Sequence, residues 1–259
     1  MLKKLNVQNL AISETTKNDL IKHIGVDEKN IEVIGAGLNL ADQNIGTNNL
    51  QFSEVKAKFN INSSYFLNIG ALDKHKGFDL TFSTFIYYTQ KLREKGITPP
   101  QLVIVGTMKD TGKQYYKEII DNNHIENIVF TGYVSREEME LLYKNARALV
   151  FPSLYEGFGF PVLEAMANAC PVITSANASI PEVGGDCVFY LKDNSFADYM
   201  EKLEILRTSD ETREKMIKQG LERAKLFTWE NVADKTVTAW KKLLNTNRSF
   251  SLGRVSNFS

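Results

Sequence analysis

The densest run of residues that could hold and turn over a ligand is Pro152-Ser153-Leu154-Tyr155-Glu156-Gly157-Phe158-Gly159-Phe160-Pro161-Val162-Leu163-Glu164. It follows an apolar stretch, passes two glycines and enters a helical pattern. Pro161 falls near the first helical position, where its missing N–H costs nothing. Such a loop brings backbone N–H groups and the positive end of a helix dipole to one place, which suits a phosphate or a hexose hydroxyl. Glycines let the backbone approach a ligand with no Cβ in the way. Two carboxylates flank this loop, Glu156 within it and Glu164 expected in the first helical turn. Their spacing alone carries nothing, because it recurs at Glu118/Glu126, Glu214/Glu222 and Glu222/Glu230. The strand, Gly-x-Gly and Pro context singles the pair out. Taken alone, Glu164 reads equally as a complement to the helix dipole, and Glu156 as a solvated loop acid.

Other chemistries find little to build on. His23, His75 and His124 are scattered and no Asp-x-Asp occurs, so no metal site is expected. Cys170 and Cys187 lie 17 residues apart without a C-x-x-C, which reads as buried thiols in a reducing compartment. No Gly-x-Ser-x-Gly elbow is present, and Gly35-Ala36-Gly37 lacks the third glycine of a dinucleotide fingerprint. Thirty-one basic residues balance 31 acidic ones, so no global field would draw the chain onto nucleic acid, and none is expected as a partner. The longest apolar runs fall far short of the ~20 residues that span a bilayer. Asn6, Gln8 and Asn9 interrupt the start where a signal peptide needs an apolar core, so a cytoplasmic location is expected.

The elements that must position the loop follow from periodicity. Over 259 residues, 43% hydrophobic and 24% charged, the composition is that of one or two globular domains. Short apolar runs at 65–69, 101–105, 128–130, 148–151, 172–174 and 188–190 predict strands covered on both faces. Ser135-Arg136-Glu137-Glu138 is a capping box, and Met139, Leu142, Tyr143 and Ala146 follow as one buried helical stripe. Further helices are expected near 53–59, 79–94, 113–122, 161–168, 196–207 and 229–244. The alternation predicts an α/β fold, a doubly wound Rossmann-like parallel sheet over 61–225. Residues 1–40 stand apart as a βαβ remnant, with a strand at 8–12, a helix at 14–24 and a strand at 31–34. A linker is expected over 41–60 with its hinge at Asn44–Asn49, a closing helix over 226–245, and a frayed Ser/Asn-rich tail over 246–259.

The segment from Glu156 to Glu164 resembles the E-x7-E signature of retaining GT-B glycosyltransferases of family 4, which includes bacterial mannosyl- and glucosyltransferases of cell-surface polysaccharide assembly. The resemblance extends over about residues 8–245. Asn68-Ile69-Gly70 and Lys76-Gly77 are similar to the family's first strand and phosphate loop, and Leu102 to Gly106 to its second strand. Phe130 to Ser135 resembles its nucleobase edge, Thr174-Ser175, Ser179 and Pro181 to Asp186 the next loop, and Phe227 to Glu230 the start of its closing helix.

The resemblance implies a GT-B C-terminal domain that binds a nucleotide-diphosphate sugar such as a UDP- or GDP-hexose. It further implies transfer of the hexose with retention, and no bound cofactor or metal. The implied donor site comprises Gly70, Lys76, Gly106, Val134, Glu156, Gly157, Phe158, Gly159, Phe160, Pro161, Val162 and Glu164. Glu164 would hold the ribose hydroxyls, backbone groups of Val134 the base, and Glu156 with the Gly157–Gly159 amides the hexose. Lys76 would meet the diphosphate, and Glu156 and Lys76 are the catalytic candidates. Where many members carry Arg after the glycine, this chain has Ala71, which leaves the diphosphate to Lys76, with Lys74 or His75 beside it.

Residues 1–40 resemble only the end of the acceptor-binding domain. A partner chain, a homodimer or a shortened chain is therefore expected, with Val232, Val237, Trp240, Leu243 and Leu244 forming an exposed patch. The acceptor would be a saccharide or a lipid-linked one, reached from the inner face of the membrane. The alternative is a non-catalytic nucleotide-sugar-binding subunit of a two-chain transferase.

Overall fold

The structure is a computed structural model that describes residues 7–38, 50–70, 74–107, 116, 118–119, 125–192 and 195–252. The expected hinge at Asn44–Asn49, Ala71 and His124 lie outside the described residues, as does most of the helix expected over 113–122. Its described members, Tyr116, Glu118 and Ile119, are helical. The chain divides into two compact units, Met1–Leu40 with Leu226–Ser259, and Ala41–Lys225.

The smaller unit begins with β1 (Asn9–Ala11), α1 (Glu14–Asp19) and β2 (Ile31–Val33). β1 and β2 pair in parallel, Asn9 opposite Ile31, as a βαβ connection requires. Ser13 caps α1 by accepting from the Thr16 amide. The helix expected to run evenly to Ile24 widens to a π-helical path over Leu20–Ile24 and stops at Gly25, whose φ of 71° is left-handed. Ala11, Val26 and Ile31 form its small core. The last helix of the chain, α9 (Trp229–Leu252), is tied to β2 by Lys242 Nζ on Glu32 Oε1 at 2.8 Å. It continues past Leu244, where the sequence pattern placed a frayed tail, because neither Gly nor Pro occurs before Gly253. Val237, Trp240, Leu243 and Leu244 are exposed along it, while Val232 is half-buried.

The larger unit carries β3 (Tyr65–Ile69), β4 (Gln101–Val105), β5 (Ile128–Gly132), β6 (Leu149–Phe151), β7 (Val172–Ser175) and β8 (Phe189–Leu191). They form one parallel sheet in the order β5-β4-β3-β6-β7-β8. Consecutive residues Phe66 and Leu67, Leu102 and Val103, and Leu149 and Val150 are all fully buried, so helices cover both faces. On one face Phe66, Leu102, Ile104, Val150 and Ile173 pack with Phe78, Phe85 and Leu92 of α3 (Phe78–Glu94) and Tyr199, Leu203 and Leu206 of α7 (Phe196–Thr208). Among the described residues the other helices are α2 (Phe52–Phe59), α4 (Arg136–Asn145), α5 (Phe160–Ala167), α6 (Ile180–Gly184) and α8 (Asp210–Ala224). The capping box read from Ser135 and Glu138 is formed. Both cysteines are free thiols. Cys170 is buried, which pushes its thiol up to about 12, whereas Cys187, expected to be buried, is half-exposed. Among the described residues no helix is long and apolar enough to cross a membrane.

Candidate functional site

The strand order sets the site. The chain builds outward from β3 through β4 to β5, then returns to the other side of β3 with β6. In an open parallel sheet the loops after these two central strands diverge, leaving a crevice at their carboxyl ends. The residues singled out from the sequence stand at that edge.

After β3, Gly70 takes a φ of 96° and donates its amide to the Val105 carbonyl at 3.0 Å. A short turn, Lys74–Lys76, follows, and Gly77 with φ 65° opens α3. After β6, the loop from Pro152 runs to Gly159, whose φ of 102° opens α5 with Pro161 in its first turn. The two loops are joined by the Leu154 amide, which donates to the His75 carbonyl at 2.7 Å.

Across this junction Lys76 Nζ lies 2.6 Å from Glu156 Oε1, with side chains 30% and 12% exposed. The ammonium also lies 5.5 Å from the centre of the Phe151 ring. A Cβ on Gly70 would touch the Lys76 side chain at 3.7 Å, so that glycine borders the pair. Ser153, fully buried, donates to Glu156 Oε1 at 2.7 Å. Side-chain hydroxyls from the neighbouring strand and the turn after it brace the loop. Thr174 donates to the Phe151 carbonyl at 2.7 Å, Ser175 to that of Ser153, and Ser179 to that of Glu156 at 2.7 Å.

Glu164 departs from expectation in one respect. With Gly159 as the cap, it falls in the second turn of α5, and the first turn holds no acid. The helix dipole fades within the first turn, so complementing it does not account for this carboxylate. Glu164 is half-buried, and burial pushes its carboxyl above the usual range, partly offset by a hydrogen bond from Tyr143. That bond spans 3.0 Å to Oε2.

The remaining candidates divide by what they can present. Phe158 and Val162 bury their side chains, leaving only their backbone for a ligand, whereas Phe160 is 39% exposed. Gly157 and Pro161 are half-buried. Gly106, with φ 136°, donates to the Gly132 carbonyl at 3.0 Å, which links the ends of β4 and β5. Val134 follows there with its side chain buried, beside Tyr133, which is 82% exposed. Gly70, Lys76 and Glu156 are thus in one cluster, and Gly106 and Val134 lie along the same sheet edge.

Two contributors escaped the sequence reading. Ser153 stood inside the motif without a role. Tyr143 counted as part of a hydrophobic stripe, although a tyrosine on a buried face must find a partner for its hydroxyl, and that signal pointed to a polar group nearby.

Residues 51–223 match the protein-family model for glycosyl transferases group 1. Over 116 residues the chain is 40% identical to the O-antigen chain mannosyltransferase B of Escherichia coli, covering 45% of this chain and 30% of that protein. Over 166 residues it is 34% identical to the O-antigen chain mannosyltransferase RfbU of Salmonella typhimurium, covering 64% of this chain and 41% of that protein. The chain therefore spans less than half the length of these two relatives. Among solved structures, a glycosyltransferase from Rickettsia africae superposes with a TM-score of 0.76 at 18% identity, over 92% of this chain and 64% of that one. WaaG, a glycosyltransferase involved in lipopolysaccharide biosynthesis, gives 0.69 at 18% identity over 89% and 61%. At these identities the likeness is one of fold.

Proposed function

The chain belongs to the group 1 glycosyltransferases, and from that premise we propose that its larger unit binds a nucleotide-diphosphate hexose for transfer to a saccharide or lipid-linked acceptor. The O-antigen chain mannosyltransferase relatives support a mannose donor and a place in cell-surface polysaccharide assembly. The observation that carries the reading is the Lys76–Glu156 pair at the switch point of the sheet.

As the bond from the sugar C1 to the diphosphate breaks, negative charge grows on the leaving group while C1 gains positive character. A fixed ammonium in a partly dry crevice stabilises the first, together with the amides at the start of α5. Lys76 supplies that charge from the protein, so the proposed reaction is metal-independent. A diphosphate entering the crevice draws Lys76 off Glu156, and the released carboxylate accepts from a hexose hydroxyl. Glu164 takes the ribose hydroxyls, and backbone groups at Val134 the base. The acceptor attacks from the face the diphosphate leaves, which retains the configuration at C1. The acceptor, and the exposed stripe of α9, are met by polypeptide beyond the described residues, whether of a longer form of this chain, a partner chain or a second copy.

Calorimetric titration with UDP- and GDP-hexoses, followed by transfer with labelled donor and NMR of the product's anomeric centre, tests this. Binding with transfer and an unchanged anomer is expected. Binding without turnover, even with a partner supplied, would assign the chain a donor-holding role. Absence of binding would overturn the reading.

A further inference from the structure

Tyr143, 1% exposed in the last turn of α4, has its hydroxyl 3.0 Å from Glu164 Oε2 and 3.5 Å from the Pro161 carbonyl. The end of α4 is itself fixed, because the buried Tyr65 hydroxyl donates to the Leu142 carbonyl at 2.7 Å. The phenol is therefore a rigid donor, and its bond to a carboxylate is of the charge-assisted kind. Among the described residues Glu164 Oε1 has no protein donor, and the side chain is half-buried at the crevice edge. A glutamate with three rotatable bonds and one open oxygen would otherwise lose that freedom only when a ligand arrived.

Resting on the proposal that Glu164 takes up the ribose hydroxyls, we propose that Tyr143 is a positioning residue for the donor. Its hydroxyl fixes the plane of the Glu164 carboxylate, so that the open oxygen is set for the vicinal ribose diol before the nucleotide binds. The same bond favours the ionised carboxylate, the form that accepts from both hydroxyls, against the burial that disfavours it.

The test compares UDP and GDP with their 2′,3′-dideoxy counterparts, titrated into the wild-type chain, Tyr143→Phe, Glu164→Gln and the double variant. Freezing one such side chain is worth roughly a two- to twelvefold change in affinity. Tyr143→Phe is expected to weaken the ribonucleotide by about that factor and leave the dideoxynucleotide unchanged. An equal loss for both nucleotides, as a merely structural role produces, overturns the proposal, and so does no loss for either. In the Glu164→Gln background Tyr143→Phe should not alter the ribo-to-dideoxy ratio further. A further drop there would also overturn it, and this arm stands if the single variant melts. If Glu164→Gln itself leaves the ratio at the wild-type value, or no nucleotide binds, the assignment of the ribose site fails first and takes this inference with it.

Discussion

Gly77 approaches the Pro152 carbonyl so closely that a Cβ on it would overlap that oxygen and stand 2.9 Å from the carbonyl carbon. The contact is the hinge pin between the loop carrying Lys76 and the loop carrying Glu156. Gly96 offers the matched control, with a similar left-handed φ of 70° and no heavy atom within 4 Å of the place a Cβ would take. Gly96→Ala should cost about 1 kcal/mol for conformation alone. Gly77→Ala adds a steric clash and should cost about 2 kcal/mol or more, with weaker nucleotide binding because Lys76 is displaced. Urea denaturation of both variants measures the difference, and equal losses would deny the close approach its role.

Lys76→Ala and Glu156→Ala should each slow transfer tenfold or more, about 1.4 kcal/mol of barrier. They should differ in binding. Because the lysine is the proposed partner of the diphosphate, its loss should weaken UDP or GDP more than the corresponding monophosphate. The Glu156 variant should bind UDP or GDP at least as tightly as wild type does, since its proposed ligand is the hexose and the diphosphate no longer has to draw Lys76 off it. Wild-type transfer rates in either variant would sink the assignment.

Glu164→Gln should stabilise the fold at neutral pH while weakening ribonucleotide binding. Burial raises this carboxyl above its ordinary value near 4.5, so the native state holds its proton more tightly than the unfolded chain does. Wild-type stability therefore falls as pH rises from that value through the raised one, then levels. The variant lacks this descent and should be the more stable of the two at pH 7. Melting curves from pH 4 to 8 check it, and a destabilised variant would contradict the sign.

Glu138 behaves oppositely. Burial pushes its carboxyl up, but Lys58 at 2.6 Å and the Ser135 amide at 2.8 Å outweigh this and leave it below its ordinary value. Its stabilisation is present above the ordinary carboxylate range and is lost as pH falls through the lowered value. Glu138→Ala should cost about 1–2 kcal/mol at pH 7 by removing half the capping box. The cost should shrink on acidification, as paired denaturation curves at pH 7 and pH 3 would show.

How legible this molecule is from sequence depends on what kind of surface each element buries. The inner strands β3, β4, β6 and β7 show as short apolar runs because both faces are covered, while the edge strands β5 and β8 use the same residue types though they are only partly buried. The last helix, α9, runs to Leu252, past the boundary at 245 that its pattern gives. By contrast α8 goes unread. It buries Met216, Gly220 and Ala224, one methionine and two residues too small to register as a stripe, with Gly220 set against Met166. In the site, Lys76, Glu156 and the glycines declare themselves through turn chemistry and charge. Ser153 and Tyr143 do not, because their partners sit on other elements and only tertiary packing brings hydroxyl to carboxylate. The same limit misplaced Glu164 by a turn, since the helix start hangs on the left-handed Gly159 rather than on the proline after it.

The hydroxyls of Thr174, Ser175 and Ser179 brace the end of β6 and the loop after it at Phe151, Ser153 and Glu156, from the adjoining strand and its following turn. A segment held at three points along six residues has little left to organise when a ligand collides with it. Its association rate is then governed by diffusion and orientation, and the time a ligand stays is set by the contacts it makes after arrival.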